Sequence, residues 1–427
     1  MTGKILLAML GDLEEYLTAF DDDMKRKENR EHLRRYAKGQ LGTIERKSLE
    51  PMADADGINP RRLQCFLTRH GWDASGVRDR LQRKVTLEHG GADGIFVIDE
   101  TSDAKKGAHT AGVARQYCGE SGKIDNGIVT VHLAYVRGEF HALLDGALFL
   151  PEAWDWNPKD PQVMKRRAAA GIPETVRHET KAAMALRQLR RALSNGVPGR
   201  YVTADEWYGS KPWWRREVDA MGLIYVVEVP RAVQGRTSPP SSAAPAAQTV
   251  QALAAMGRMF RKQAWTRFRV HDTEKGPDIW EVKRGLFWEQ AEQAPPRVQI
   301  LLVCRNVRTQ EIKYFLSNAD ADAPTMGLVR IAFSRWQVER CFQDCKSELG
   351  LNHAEMRLYQ GIQRHLILTA VNYYFMVDWL SKHNGGINKD LSISQCADAV
   401  QKLLEQKQEG IMMRSQLVNF RTIFKSA

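Results

Sequence analysis

Three carboxylates stand where they could do chemistry. Asp99 closes the apolar run Ile95-Phe96-Val97-Ile98. Asp205 closes the short run Tyr201-Val202-Thr203-Ala204. Glu339 lies in a helical pattern that begins near Leu328. A carboxylate at the end of a buried strand can point into the crevice where open α/β sheets take ligands, or it can be a plain turn residue. Taken alone, Glu339 reads as a solvated helix charge. Its helix adds Arg335 and Lys346: at about 100° per residue, Arg335, Glu339 and Lys346 fall near 0°, 40° and 20°, one narrow face. Such a stripe is either an ion-pair ladder worth a few tenths of a kcal/mol or a carboxylate flanked by phosphate-binding cations. Phe342 and Leu349 border it, which turns it toward protein or ligand.

Two strand-end aspartates and a helical glutamate suit a two-metal site for phosphoryl transfer. Mg²⁺ and ions like it take oxygen ligands and keep several waters. Two such ions about 3.5–4 Å apart can activate an attacking oxygen and stabilise a leaving one. No His or Cys is needed, and the six cysteines are scattered without zinc spacing. No Gly-rich phosphate loop occurs, which argues against nucleoside triphosphate use.

The order Asp, Asp, Glu on strand, strand and helix resembles the DDE transposases of bacterial insertion sequences. Arg335-x3-Glu339-x6-Lys346 is similar to the last three positions of the Y-x2-R-x3-E-x6-K signature of one group, with Ala332 at the Tyr position. Phe96 to Thr101, Lys105-Lys106-Gly107, Gly112 to Gly119 and Gly122 to Asn126 are similar to the family's first-Asp region, and Ala204 to Gly209 to its second. The likeness spans roughly residues 15–380. It implies an α/β fold with an RNase H-like catalytic core interrupted by a β-rich insertion, with a helical N-terminal domain and a helical C-terminal region. Asp99, Asp205 and Glu339 would be catalytic and hold two Mg²⁺ or Mn²⁺ ions. Arg335, Lys346, Lys105 and Lys106 would contact DNA, and Trp280 in the insertion would stack on a flipped base. The function implied is cleavage at element ends and joining of the 3′-OH to target DNA. A DNA hairpin at the element end would precede excision in some relatives. An RNase H-like nuclease without strand transfer and a non-catalytic transposase derivative stay open as alternatives.

Stepping along the chain gives the elements that must position these residues. Residues 1–90 read as helices, with Leu13, Tyr16, Leu17 and Phe20 on one face and Asn59-Pro60 as a helix start; a DNA-binding domain is expected here. Residues 91–229 carry the strands Ile128–Tyr135, Phe140–Phe149, Tyr201–Ala204 and Ile224–Val229, with helices near Glu179–Leu193 and Lys211–Met221; they form the first part of the core. Residues 230–315 hold the low-complexity stretch 237–248 and the strands Trp265–Val270, Ile279–Lys283, Gly285–Trp288 and Val298–Cys304. The 134 residues from Asp205 to Glu339 leave room for this insertion. Residues 316–385 return to the core, with helical patterns over Met326–Ser347 and Leu358–Leu380, and 386–427 form the C-terminal helical region.

Composition agrees with this without demanding it. The 427 residues include 62 Lys plus Arg against 51 Asp plus Glu, a formal charge of +11, which favours polyanionic partners such as double-stranded DNA: terminal inverted repeats and target. No apolar run of about 18 residues or more occurs, and no secretory signal is evident. A bacterial cytoplasmic, nucleoid-associated protein with free thiols is expected, working as a homodimer on two DNA ends. Lys165-Arg166-Arg167 and Arg190-Arg191 are further basic clusters.

Overall fold

The computed structural model describes residues 3–119, 122–240, 245–256, 258–273, 276–290, 297–383 and 393–398. The chain begins with six helices: α1 (Gly3–Thr18), α2 (Asp21–Met24), α3 (Lys27–Leu41), α4 (Leu49–Ala55), α5 (Pro60–Thr68) and α6 (Ala74–His89). Local chemistry sets their starts. The Asn59 side chain accepts from the Arg61 N–H ahead of Pro60 in α5, and Asp73 accepts from the Ser75 N–H ahead of α6. Leu13, Leu17 and Phe20 are fully buried, and Tyr16 nearly so.

The central sheet explains how the first two carboxylates meet. Strands β1 (Ile95–Ala104), β2 (Ala114–Cys118), β3 (Lys123–Arg137) and β4 (Phe140–Leu148) come first. Helices α7 (Pro161–Ala169) and α8 (Lys181–Ser194) lead to β5 (Tyr201–Ala204). The short helix α9 (Glu206–Gly209) and α10 (Pro212–Ala220) lead to β6 (Ile224–Val229). β3 pairs antiparallel with both β4 and β1, whereas β1, β5 and β6 are parallel, giving the order β4-β3-β1-β5-β6. β2 pairs only with the first residues of β3, Lys123–Gly127. Asp99 is therefore mid-strand: β1 runs six residues past the apolar run, because Asp99 to Ala104 keep their ladder with β3.

The insertion does not form a sheet of its own. Its elements are β7 (Gln234–Arg236), β8 (Gln248–Thr249), α11 (Val250–Met256), α12 (Arg258–Lys262), β9 (Thr266–Thr273), β10 (Gly276–Glu289), β11 (Val298–Asn306) and β12 (Ile312–Ser317). β12 pairs antiparallel with β6, Tyr314 opposite Val229 through Ser317 opposite Val226, so one mixed sheet of twelve strands runs through both parts. The strands expected at Ile279–Lys283 and Gly285–Trp288 are one strand, β10. Gly285 stays in its ladder opposite Leu301.

The helical pattern expected over Met326–Ser347 is two helices, α13 (Thr325–Phe333) and α14 (Trp336–Leu349), parted at Ser334-Arg335. The Ser334 hydroxyl donates to the Ile331 carbonyl at the break. α14 ends on Gly350 in the left-handed region (φ 67°), a usual helix stop. α15 (Tyr359–His383) is buried along almost all of its length. It packs against β4 on one side and against α3, α5 and α6 on another. Polar ties join these layers. Tyr16 donates to the Val371 carbonyl at 2.8 Å, Gln40 donates to Thr369, and buried Arg364 donates to the carbonyls of Phe66, Leu67 and Trp72. The N-terminal helices thus share one apolar core with the sheet, and residue 90 is not a packing boundary. Of the expected C-terminal helical region, 393–398 is helical and the rest lies outside the described residues. No helix among the described residues is long and apolar enough to cross a membrane.

Candidate functional site

Asp99 and Asp205 become neighbours through strand register. Ile98 pairs with Ala204 across the parallel β1–β5 ladder, and each Asp is the next residue on its strand. Adjacent strands lie about 5 Å apart, so the two backbones present their carboxylates side by side. Asp205 is also the N-cap of α9: one of its oxygens accepts from the N–H groups of Trp207 (3.0 Å) and Tyr208 (3.2 Å). That fixes the carboxylate against a backbone turn and leaves its second oxygen for other partners. Gly209 closes the turn, and a Cβ there would collide with the carbonyl oxygen of Glu228 in β6.

Glu339 arrives from α14, whose first turn lies over β1. Phe342, one turn further on, meets the ring of His132 edge-on at 5.1 Å, and His132 is the β3 partner of Asp99. Arg335, at the N-terminal end of this helix, joins the carboxylates. One guanidinium nitrogen lies 2.8 Å from Asp99 Oδ2 and the other 2.7 Å from Glu339 Oε1. Arg335 and Glu339 do share a helix face, but the cation faces carboxylates of its own chain. The Asp99 carboxyl is buried, and desolvation pushes it up to about 7; Arg335 opposes this, while Asp205 and Glu339 add to it. Charge repulsion among three acids is thus part of the site's electrostatics.

A second layer surrounds them. The Glu100 carboxylate, pushed up by burial, holds Lys181 at 2.6–2.7 Å. Lys181 and Lys211 both lie over the half-exposed ring of Trp207, at 4.6 and 3.3 Å from its centre. The fully buried Tyr208 hydroxyl has no hydrogen-bond partner among the described residues, and Glu100, Asp99 and Asp205 are the acids that act on it. Sequence reading missed Lys181 and Trp207. Lys181 carries no local signal, because only the fold brings it 81 positions back to Glu100. Trp207 did carry one, standing two residues from Asp205.

The expected DNA contacts fall differently. Lys106 is exposed. Lys105 is held by Asp103 and by the Ala354 carbonyl. Lys346 lies near enough to His132 to help burial lower that imidazole, to about 3. Trp280 is corrected outright: it is 4% exposed, its ring packs on Phe333 at 4.9 Å, and its N–H donates to Asp278. It is a core residue of the sheet–α13 interface, with no face open to a base. Three arginines of the basic clusters have partners within the chain. Arg167 is buried on the carbonyls of Trp154, Pro173 and Val176, Arg190 pairs with Glu217, and Arg191 with Asp79.

All the donors here are oxygens, which suits Mg²⁺ or Mn²⁺. Among the described residues, the group whose His and carboxylate ligand atoms already lie within 4.8 Å of one another is Glu88, His89 and Asp378, at the end of α6 and in α15. There Lys382 already bridges Glu88 and Asp378.

Comparison with known proteins adds context. A family profile described as DDE superfamily endonuclease matches residues 19–280. The matched span contains Asp99 and Asp205 and stops before Glu339. A probable transposase for insertion sequence element IS701 from Microchaete diplosiphon is 32% identical over 193 residues, 45% of this chain and 46% of that protein. The chain thus matches about half the length of this relative. Among solved structures, the NurA nuclease from Sulfolobus solfataricus aligns over 80% of this chain and 94% of its own at 10% identity, with a TM-score of 0.26.

Proposed function

We propose that this chain, which belongs to the DDE superfamily of endonucleases, is an insertion-sequence transposase whose catalytic carboxylates are Asp99, Asp205 and Glu339. The observation that carries this reading is the register of β1 and β5, which sets two aspartates side by side while Arg335 ties Glu339 to the first of them. The order β4-β3-β1-β5-β6, three antiparallel strands followed by two parallel ones, supports an RNase H-like core.

The three carboxylates would hold two Mg²⁺ or Mn²⁺ ions. Burial is what raises Asp99 most, with Asp205 and Glu339 adding to it, and bound cations would oppose both. When bound, such ions lower the pKa of an attacking water or 3′-OH and stabilise the leaving oxygen. The chain's own residues supply position. The backbone N–H groups of α9 orient Asp205. Arg335 orients Asp99 and Glu339 through one planar fork, and Lys346 and Lys106 would offer cations to DNA phosphates. Hydrolysis would free a 3′-OH at each element end, and that hydroxyl would attack target DNA by direct transesterification. A hairpin step at the element end fits the same chemistry. Two ends require two active sites, so a homodimer on double-stranded DNA in the bacterial cytoplasm is the working form.

The test is strand nicking of element-end DNA with Mg²⁺ by Asp205→Ala and Glu339→Gln. Both should lose cleavage by at least about a hundredfold while keeping DNA binding. Undiminished metal-dependent cleavage would sink the assignment. Cleaved ends without joined products would indicate a nuclease that lacks strand transfer.

A further inference from the structure

Beyond the carboxylates, the sheet sends a two-stranded ribbon past its catalytic edge. Among the described residues, β2 pairs with β3 alone, Ala114–Cys118 against Lys123–Gly127. Tyr117 and Ile124 are directly opposed in this register. They are 65% and 61% exposed, among the most exposed large apolar side chains described. An opposed aromatic and β-branched pair usually faces a core; here it faces outward.

The surroundings are cationic. Arg115 is exposed two residues along β2, on the face of Tyr117, and Lys123 beside Ile124 is 69% exposed. At the root of the ribbon, the Asn126 side chain donates to the carbonyls of Lys105 and Gly107, which fastens the loop bearing exposed Lys106 to it. Among the described acids here, Asp103 pairs with Lys105 and Asp125 lies 3.9 Å from Lys123.

We infer that the β2–β3 ribbon is a DNA-contacting arm that lays Tyr117 and Ile124 into a groove of the duplex flanking the scissile bond, with Arg115, Lys123 and Lys106 on the adjoining phosphates. The inference rests on the nucleic-acid substrate proposed above. A two-stranded ribbon has the width of a duplex groove, and apolar side chains pressed between base steps are a known way to grip and bend DNA. Distance gives the register. Asp99 pairs with His132, and Ile124 lies eight residues before His132 on the same strand. At about 3.3 Å per residue that is about 26 Å, or about eight base pairs at about 3.4 Å each.

The test measures binding of the full-length protein to a 40-base-pair duplex in EDTA, by fluorescence anisotropy across a salt series. Tyr117→Ser with Ile124→Ser should weaken Kd by about tenfold with an unchanged salt slope, because the lost contact is apolar. Arg115→Ala with Lys123→Ala should instead flatten the slope by about two. Footprinting should lose protection about eight base pairs from the cleavage point in the first variant. Wild-type Kd in the Tyr117/Ile124 variant overturns the inference, as does failure of the wild type to bind the duplex. So does a change from dimer to monomer in sedimentation with Kd unaltered, which would make the ribbon a contact between copies. Asp205→Ala separates the two readings, since it removes cleavage and leaves this binding difference in place. If the wild type shows the binding difference but no metal-dependent cleavage, the catalytic reading alone has failed.

Discussion

Arg335→Ala asks how much the site depends on one guanidinium. Arg335 is 24% exposed, Asp99 11% and Glu339 56%. Breaking a buried pair costs about 3–5 kcal/mol, and an exposed pair contributes about 0.2–1. The Asp99 contact lies between these limits and should cost about 2 kcal/mol; the Glu339 contact, well solvated, adds about 0.3–0.5. The pH dependence has a definite sign. Asp99 sits at about 7 in the folded protein and at 3.8 in its ordinary state. The native state therefore binds the extra proton, and stability falls as pH rises from about 4 to about 7. Removing Arg335 raises Asp99 further and carries that window above 7. The cost of Arg335→Ala should thus be larger at pH 8 than at pH 6, where a proton can stand in for the guanidinium. Urea midpoints in EDTA, followed by tryptophan fluorescence, measure it. Adding Asp99→Asn to Arg335→Ala should recover about 2 kcal/mol at pH 8. Simple additivity of the two changes, or an equal cost at both pH values, would refute the reasoning.

Other outcomes follow from single contacts. His365 is buried, with Nε2 donating to the Leu351 carbonyl and Nδ1 accepting from the Tyr36 hydroxyl at 2.5 Å, and its pKa is lowered to about 4. The unfolded chain takes the proton first, so stability should drop by about 3 kcal/mol as pH falls from 6.5 to 4, and His365→Gln should flatten that part of the urea profile. Trp280→Ala should destabilise by about 3–5 kcal/mol yet leave the DNA affinity of the folded fraction unchanged by anisotropy; a selective loss of affinity would restore a stacking role. Gly209→Ala should displace the Asp205 turn from Glu228, lowering cleavage more than the thermal midpoint. Lys106→Ala should reduce the salt slope of DNA binding by about one, whereas Lys105→Ala, losing ties to Asp103 and Ala354, should register mainly as lost stability.

The sequence made β5 and β6 legible to the residue, because Tyr201–Ala204 and Ile224–Val229 are short apolar runs bounded by turn residues. The start of α5 was equally plain from Asn59-Pro60. The second half of β1 was not, since its polar residues hold their place by ladder hydrogen bonds with β3, which hydropathy does not encode. The break between α13 and α14 was hidden for a related reason: the apolar period continues through Ser334 and Arg335 while the axis changes. At the site, the helix arithmetic placed Arg335 beside Glu339, but not opposite Asp99. That contact spans 236 positions and depends on how α14 lies on the sheet. Trp280 misled because an aromatic in a strand looks the same whether it faces a core or a ligand.

The pairing of β12 with β6 bears on how the insertion could be removed. Excising residues 230–315 would remove Tyr314 and Phe315, the partners of Val229 and Glu228, and leave β6 facing a two-residue remnant of β12, baring buried Val226, Val227 and Val229 beside the catalytic strands. Open edges of that kind recruit other chains. The insertion therefore acts as an edge guard for the sheet that carries Asp99 and Asp205, and a trimmed core would be expected to aggregate before its chemistry could be assayed.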